Sequence, residues 1–221
     1  MSALKAVIVQ VTPFQQNCLL LWDDEQKRGS VFDPGGDAER IFAEITQSGF
    51  AVDSILLTHG HLDHAGGAGA LQKLLADAGQ AVDIIGPDIR DKFLLDGIAD
   101  QARRYGIEGM SNCTPDRWLT EGEQVTAAGV AFDVLHCPGH TPGHVVFVAP
   151  AVRLAILGDV LFRGSVGRTD FAYGDGRQLI RGIREKLLPL SDDVAFVCGH
   201  GPGSTIGIER QGNPFLRGGA N

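Results

Sequence analysis

Four side chains able to bind a metal, His59, His61, Asp63 and His64, fall within six residues of the stretch Thr58-His59-Gly60-His61-Leu62-Asp63-His64. Imidazole and carboxylate donors together suit a borderline first-row cation such as zinc, iron or manganese. On an extended segment His59 and His61 point to one side, because side chains alternate with period two. If the chain turns into a helix near Ala65, Asp63 and His64 face a second ion beside the first. The chain has seven histidines in 221 residues, so this clustering argues for a metal centre over a polar loop.

Four donors are few for two metals, and three further turns offer more. His140 lies in Cys137-Pro138-Gly139-His140-Thr141-Pro142-Gly143-His144, after a run that ends at His136. Asp159 follows Gly158 at the end of the apolar run 154–157, and His200 sits between Gly199 and Gly201. Each turn sets a ligand type at a strand end beside glycine, where side chains from separate strands converge on one rim. His144 opens the next strand and reads as a structural or hydrogen-bonding support. Asp33, before Pro34-Gly35-Gly36, reads from the residues alone as a turn carboxylate. Cys137 and Cys198 read as small buried hydrophobes.

The elements that must position these side chains follow from apolar spacing and turn residues. Strands are expected at 4–11, 17–22, 30–33, 53–58, 81–85, 124–127, 130–136, 145–148, 154–157 and 194–198. Helices are expected at 65–78, 88–105 and 178–188, the last stopped by Pro189, with another after an N-cap at Asp37. Gly66, Gly67 and Gly69 weaken the first of these helices, either for close helix packing or for something approaching the backbone. No linker or low-complexity break divides the chain, which reads as a single domain, 1–221, of two sheets with helices outside.

A length of 221 residues is ample for one buried α/β core. The net charge of -8 argues against a nucleic-acid or anionic-membrane partner. No apolar run approaches the ~20 residues of a membrane span. The N-terminus lacks the features of a signal peptide, and the four cysteines lack CxxC spacing. A reduced, cytoplasmic setting is the expectation. Oligomeric state is left open.

The order His-x-His-x-Asp-His, then His140, Asp159 and His200, resembles the metallo-β-lactamase fold hydrolases over essentially the whole chain. The resemblance implies an α/β (α+β) four-layer αββα sandwich, two mixed sheets with helices outside and the metals at one edge. By that pattern His59, His61 and His140 hold one metal, Asp63, His64 and His200 a second, and Asp159 bridges them. Asp33 would support the metal loop from behind. Within the superfamily, Gly158-Asp159-Val160-Leu161-Phe162 and Val166-Gly167-Arg168-Thr169-Asp170-Phe171 are similar to glyoxalase II, the hydroxyacylglutathione hydrolases. The tail Glu209-Arg210-Gln211-Gly212-Asn213-Pro214-Phe215-Leu216 resembles their short bacterial single-domain branch. The chain ends about twenty residues after His200, so the helical domain with which long glyoxalase II enzymes hold glutathione is expected to be missing.

The activity so implied is thioester hydrolysis of S-D-lactoylglutathione or a related acyl-glutathione by two divalent metals, zinc first, with iron or manganese able to replace it. Two such cations lower the pKa of a shared water from ~16 toward ~7. Asp63 would orient that nucleophile. A thiol leaving group, with a pKa near ~8.5, departs with little help from an acid. Arg168, Arg163 and Lys92 are candidates for anchoring a substrate carboxylate. The alternative is a mononuclear iron persulfide dioxygenase acting on glutathione persulfide, using His59, His140 and Asp159.

Overall fold

The computed structural model describes residues 4–217. The first sheet is built from β1 (Leu4–Val11), β2 (Gln16–Asp23), β3 (Arg28–Phe32), β4 (Ala51–Leu56) and β5 (Asp83–Ile85), in that spatial order. Its first three strands pair antiparallel and its last three parallel, which makes it mixed. On its outer face lie α1 (Ala38–Ser48), α2 (Leu62–Ala65), α3 (Ala68–Asp77), α4 (Lys92–Leu95) and α5 (Ile98–Tyr105).

The second sheet runs β13-β12-β9-β8-β7-β6. Its members are β6 (Gln124–Ala127), β7 (Val130–His136), β8 (Val145–Ala149), β9 (Leu154–Ile156), β12 (Ala195–Val197) and β13 (Ser204–Thr205). It too is mixed, because β9 and β12 pair parallel while the other pairs are antiparallel. A small hairpin of β10 (Leu161–Phe162) and β11 (Ser165–Val166) stands beside it. Helices α6 (Gly176–Gly182) and α7 (Ile206–Gly212) cover its outer face.

Period-two alternation on strands buried from both sides produces the four layers. Along β2, Cys18, Leu20 and Trp22 pack toward the first set of helices, while Leu19 and Leu21 pack between the sheets. Along β8, Val146 and Val148 face α6, while Val145, Phe147 and Ala149 face the first sheet. Phe32 meets Phe147 edge-on at 5.5 Å between the sheets. The architecture is the expected αββα sandwich of two mixed sheets with helices outside.

Several local expectations are corrected. The helix expected at 65–78 is two helices broken at Gly66-Gly67. A Cβ at Gly67 would stand 2.8 Å from the Pro34 carbonyl oxygen and 2.9 Å from Gly36 Cα, so these glycines serve close packing against the turn 34–36. The stretch 88–105 divides into a 3-10 turn at Ile89–Asp91, then α4 and α5, because Asp91 is drawn into the interior. The helix before Pro189 widens after α6 into a π turn at Ile183–Leu187. Asp37 stands at the N-cap position in a left-handed conformation, yet its carboxylate accepts from Thr12 N at 2.8 Å and does not cap α1. The two-residue strands and α7 have no period long enough to read from sequence.

Candidate metal centre

The site lies along one edge of the sandwich, at the ends of strands. His59 and His61 follow β4, and Asp63 and His64 stand in the single turn of α2. His140 comes from the β7–β8 loop, Asp159 from the turn after β9, and His200 from the turn after β12. The two sheets are stitched together beside it: Asn17 N donates to Gly199 O at 2.8 Å, and Asn17 Nδ2 donates to Cys198 O at 2.9 Å.

All seven side chains converge. Three groups have ligand atoms within 4.8 Å of one another: His59, His61 and His140; His59, His64 and Asp159; and Asp63, His64 and His200. Asp159 stands between the clusters, with Oδ1 3.3 Å from His64 Nε2, and Oδ2 3.4 Å from His140 Nε2 and 3.6 Å from His200 Nε2. His200 Nε2 also lies 3.3 Å from Asp63 Oδ2.

Hydrogen bonds behind the rings decide which nitrogens face the centre. His140 Nδ1 and His200 Nδ1 donate to the carbonyls of Arg168 and Phe14, at 2.8 and 3.1 Å, so both carry their protons there. His64 Nδ1 donates to Asp33 Oδ2 at 2.9 Å. The Thr58 hydroxyl donates to that same Asp33 oxygen and therefore accepts from His59 Nδ1, 3.0 Å away. His61 Nε2 lies 2.8 Å from Tyr173 Oη. With those protons outward, unprotonated lone pairs converge: His59 Nε2 and His140 Nε2 lie 3.1 and 3.0 Å from His61 Nδ1. His64 Nε2 and Asp159 Oδ1 are buried with no hydrogen-bond partner. A buried cluster of acceptors is costly unless something positive stands among them. The donor set, neutral imidazoles with carboxylates, fits two divalent cations.

The protonation tendencies agree at His59 and His61 and run the other way at His64. Burial first, and the neighbouring imidazoles second, lower the pKa of His59 well below the ordinary range and that of His61 to about 3, keeping both free to coordinate. At His64 burial opposes the charge, but the Asp159 and Asp33 carboxylates outweigh it and raise the pKa. At Asp159 burial opposes ionisation, and His64, His140 and His200 overcome it to hold the carboxyl ionised.

Asp33 grips the loop from behind, its Oδ1 accepting from Thr58 N at 2.7 Å. His144 Nε2 accepts from Asp159 N at 3.0 Å while its ring stacks on His59 at 4.6 Å and 16°. Gly199 leaves room beside them; a Cβ there would lie 2.0 Å from Asp159 Oδ1 and 2.5 Å from His64 Cε1. Asp91, which the motifs do not point to, ties both ligand loops together. Its Oδ2 accepts from Gly60 N at 2.9 Å and Thr141 Oγ1 at 2.7 Å, and its Oδ1 from Gly143 N at 2.5 Å.

A cavity of about 540 Å³ opens over His61, Asp63, His140, Asp159 and His200. Of the three cationic candidates only Arg168 lines it, and there it forks onto Asp170 at 3.0 and 2.9 Å and lies 5.0 Å above the Phe171 ring. Lys92 is instead paired one helical turn away with Asp96 on exposed surface, and Arg163 is exposed at the β10–β11 turn outside the lining. The sequence reading missed the aromatic walls. Phe14 and Tyr105 form one, and Phe171 and Tyr173 the other. The chain has two tyrosines and both line this cavity, a scarcity that could have marked them.

A family model for the metallo-beta-lactamase superfamily matches residues 11–200. The chain belongs to that superfamily. Among curated proteins it is 48% identical to the hydroxyacylglutathione hydrolase GloC of Haemophilus influenzae over 95% of this chain and 96% of that one. Among solved structures, the BLEG-1 B3 metallo-beta-lactamase superposes with a TM-score of 0.86 at 33% identity, covering 97% of this chain and all of that one. TTHA1623 in a di-iron-bound form superposes with a TM-score of 0.81 at 34% identity, over 95% of this chain and 100% of that one.

Proposed function

We propose that this protein is a metal-dependent thioester hydrolase of the glyoxalase II type, cleaving S-D-lactoylglutathione or a related acyl-glutathione. The observation that carries the proposal is the convergence of seven donors in one cluster beneath the cavity, with the outer nitrogen of every ligand ring tied away from the centre. The 48% identity to a hydroxyacylglutathione hydrolase supports the substrate class.

In this reading His59, His61 and His140 would hold one metal, Asp63, His64 and His200 a second, and Asp159 would serve both. Zinc is the first candidate, and the di-iron form of TTHA1623 makes iron the second. Two divalent ions bound there supply Lewis acidity and an activated water at neutral pH. The protein's own groups do the rest. Asp63 orients the attacking water, His144 and Asp33 hold the bridging carboxylate and the ligand loop in place, and the aromatic walls exclude bulk solvent. A thiol leaves with little protonation, so no separate general acid is required. Residues 1–221 would act as one domain, in a reducing cytoplasmic compartment that suits four buried free cysteines.

The test pairs metal analysis of the purified protein with thiol release from S-D-lactoylglutathione. Two metals per chain and rapid turnover are expected. In Asp159→Ala both should be lost, activity by at least about 10²-fold, the scale of losing one charge-stabilising group. Full thioesterase activity in that variant sinks the assignment. Oxygen consumption with glutathione persulfide in an iron-loaded sample would instead favour a dioxygenase, which needs only three of the seven donors.

A further inference from the structure

Four of the five imidazoles facing the centre are held from behind by backbone carbonyls or by side chains inside the fold: Thr58 for His59, Asp33 for His64, Arg168 O for His140 and Phe14 O for His200. His61 is different. Its outer nitrogen is held by Tyr173 Oη at 2.8 Å, and Tyr173 itself lines the substrate cavity from the loop between β11 and α6. The Tyr173 ring is fixed on two sides. It stacks on Phe171 at 5.3 Å and 12°, and Phe93 meets it edge-on at 5.4 Å and 71°.

The proton count at this contact has a consequence. If His61 offers Nδ1 to a metal, its one proton must sit on Nε2 and be donated to the Tyr173 oxygen. The hydroxyl is then an acceptor toward His61, and its own proton is left over. Among the described residues the hydroxyl has no partner other than His61. Its proton is therefore available to an acceptor in the cavity.

We propose that Tyr173 is both a positioning residue for His61 and a hydrogen-bond donor to an oxygen of the bound substrate. One hydroxyl accepts from the ligand ring and donates to the molecule being hydrolysed. The ring packing holds that hydroxyl at the boundary between metal and substrate. This rests on the reading of His61 as a ligand in the hydrolase proposed above.

Tyr173→Phe keeps the ring and its stacking and removes both hydrogen bonds. In a chelator competition the variant should release one of its two metals about 10- to 100-fold more readily than wild type, the usual consequence of losing a group that orients a ligand. Loading with cobalt(II) should shift the visible bands of one site and leave the other unchanged. For S-D-lactoylglutathione, KM should rise about 2- to 10-fold, the scale of one neutral hydrogen bond. A folded Tyr173→Phe protein with metal retention, cobalt spectrum and KM all equal to wild type overturns the proposal. A wild-type protein that binds no metal overturns it together with the ligand assignment. A wild type that holds two metals but releases no thiol from S-D-lactoylglutathione overturns the substrate alone, and retention and spectrum still decide whether Tyr173 positions His61.

Discussion

The carboxylate of Asp91 receives three hydrogen bonds, from Gly60 N, Thr141 Oγ1 and Gly143 N, and so spans the loops that carry His59, His61 and His140. Burial outweighs those three donors and pushes its pKa up to about 6. The folded protein thus holds this proton more tightly than the unfolded chain does. Stability contributed by the group is fullest below about pH 4 and is lost as pH rises through about 6, by about 3 kcal/mol in all. Asp91→Asn removes the titration, and its amide nitrogen meets donors where the carboxylate accepted. Urea unfolding of metal-free wild type and variant at pH 4 and pH 7 should show wild type losing ground to the variant by about that amount at the higher pH. A difference independent of pH would refute the account. Nothing in the sequence marks Asp91, because its function is to receive backbone donors from loops 31 and 52 residues away. His59 through His64 are legible because the chain itself supplies their spacing.

At the scale of the elements, the turn 33–36 and the short helix α2 behave as one unit. A Cβ added to Gly35 would stand 1.5 Å from the Asp63 carbonyl oxygen, so only glycine allows this turn to lie against the backbone of the ligand helix. Gly67 N donates to Pro34 O at 3.0 Å and closes the contact from the other side. Gly35→Ala should cost about 1–3 kcal/mol or more by overpacking, and it should lower metal content because Asp63 and His64 move with the displaced backbone. Urea midpoint and metals per chain measure the two effects; a variant unchanged in both would contradict the packing argument. The glycines were visible in the sequence, but not their purpose. Helix packing and ligand approach leave the same signature until the neighbour that touches them is known.

At the scale of the whole molecule, the donors come from both halves of the sandwich. His59, His61, Asp63 and His64 follow the first sheet, whereas His140, Asp159 and His200 follow strands of the second. Ions held between them would cross-link the sheets and stabilise the folded state only. At a free concentration a thousandfold above Kd each ion adds about 4 kcal/mol, or roughly 10 °C in Tm for a domain of this size. Stripping the metals with a chelator should lower Tm by about that much per ion, and restoring them should recover it. Asp159→Ala should melt near the stripped temperature whether or not metal is added; an equal gain on adding zinc would count against a bridging role.

The sequence by itself determined two sheets with helices outside and the order of the candidate donors, because these depend on short-range spacing and on strand alternation that the chain carries locally. Most strand positions were legible for the same reason. The four-layer αββα arrangement came from the family resemblance of its motifs. Only the tertiary structure decided how the donors are presented. It turns the outer nitrogen of each ring away from the centre, sets Asp91 across two loops, sends Lys92 and Arg163 away from the cavity, and sets Tyr173 on the cavity wall 2.8 Å from His61. Most of those outcomes depend on contacts between residues tens to more than a hundred positions apart, such as the 112 that separate His61 from Tyr173. Such contacts exist only once the two sheets have closed on each other.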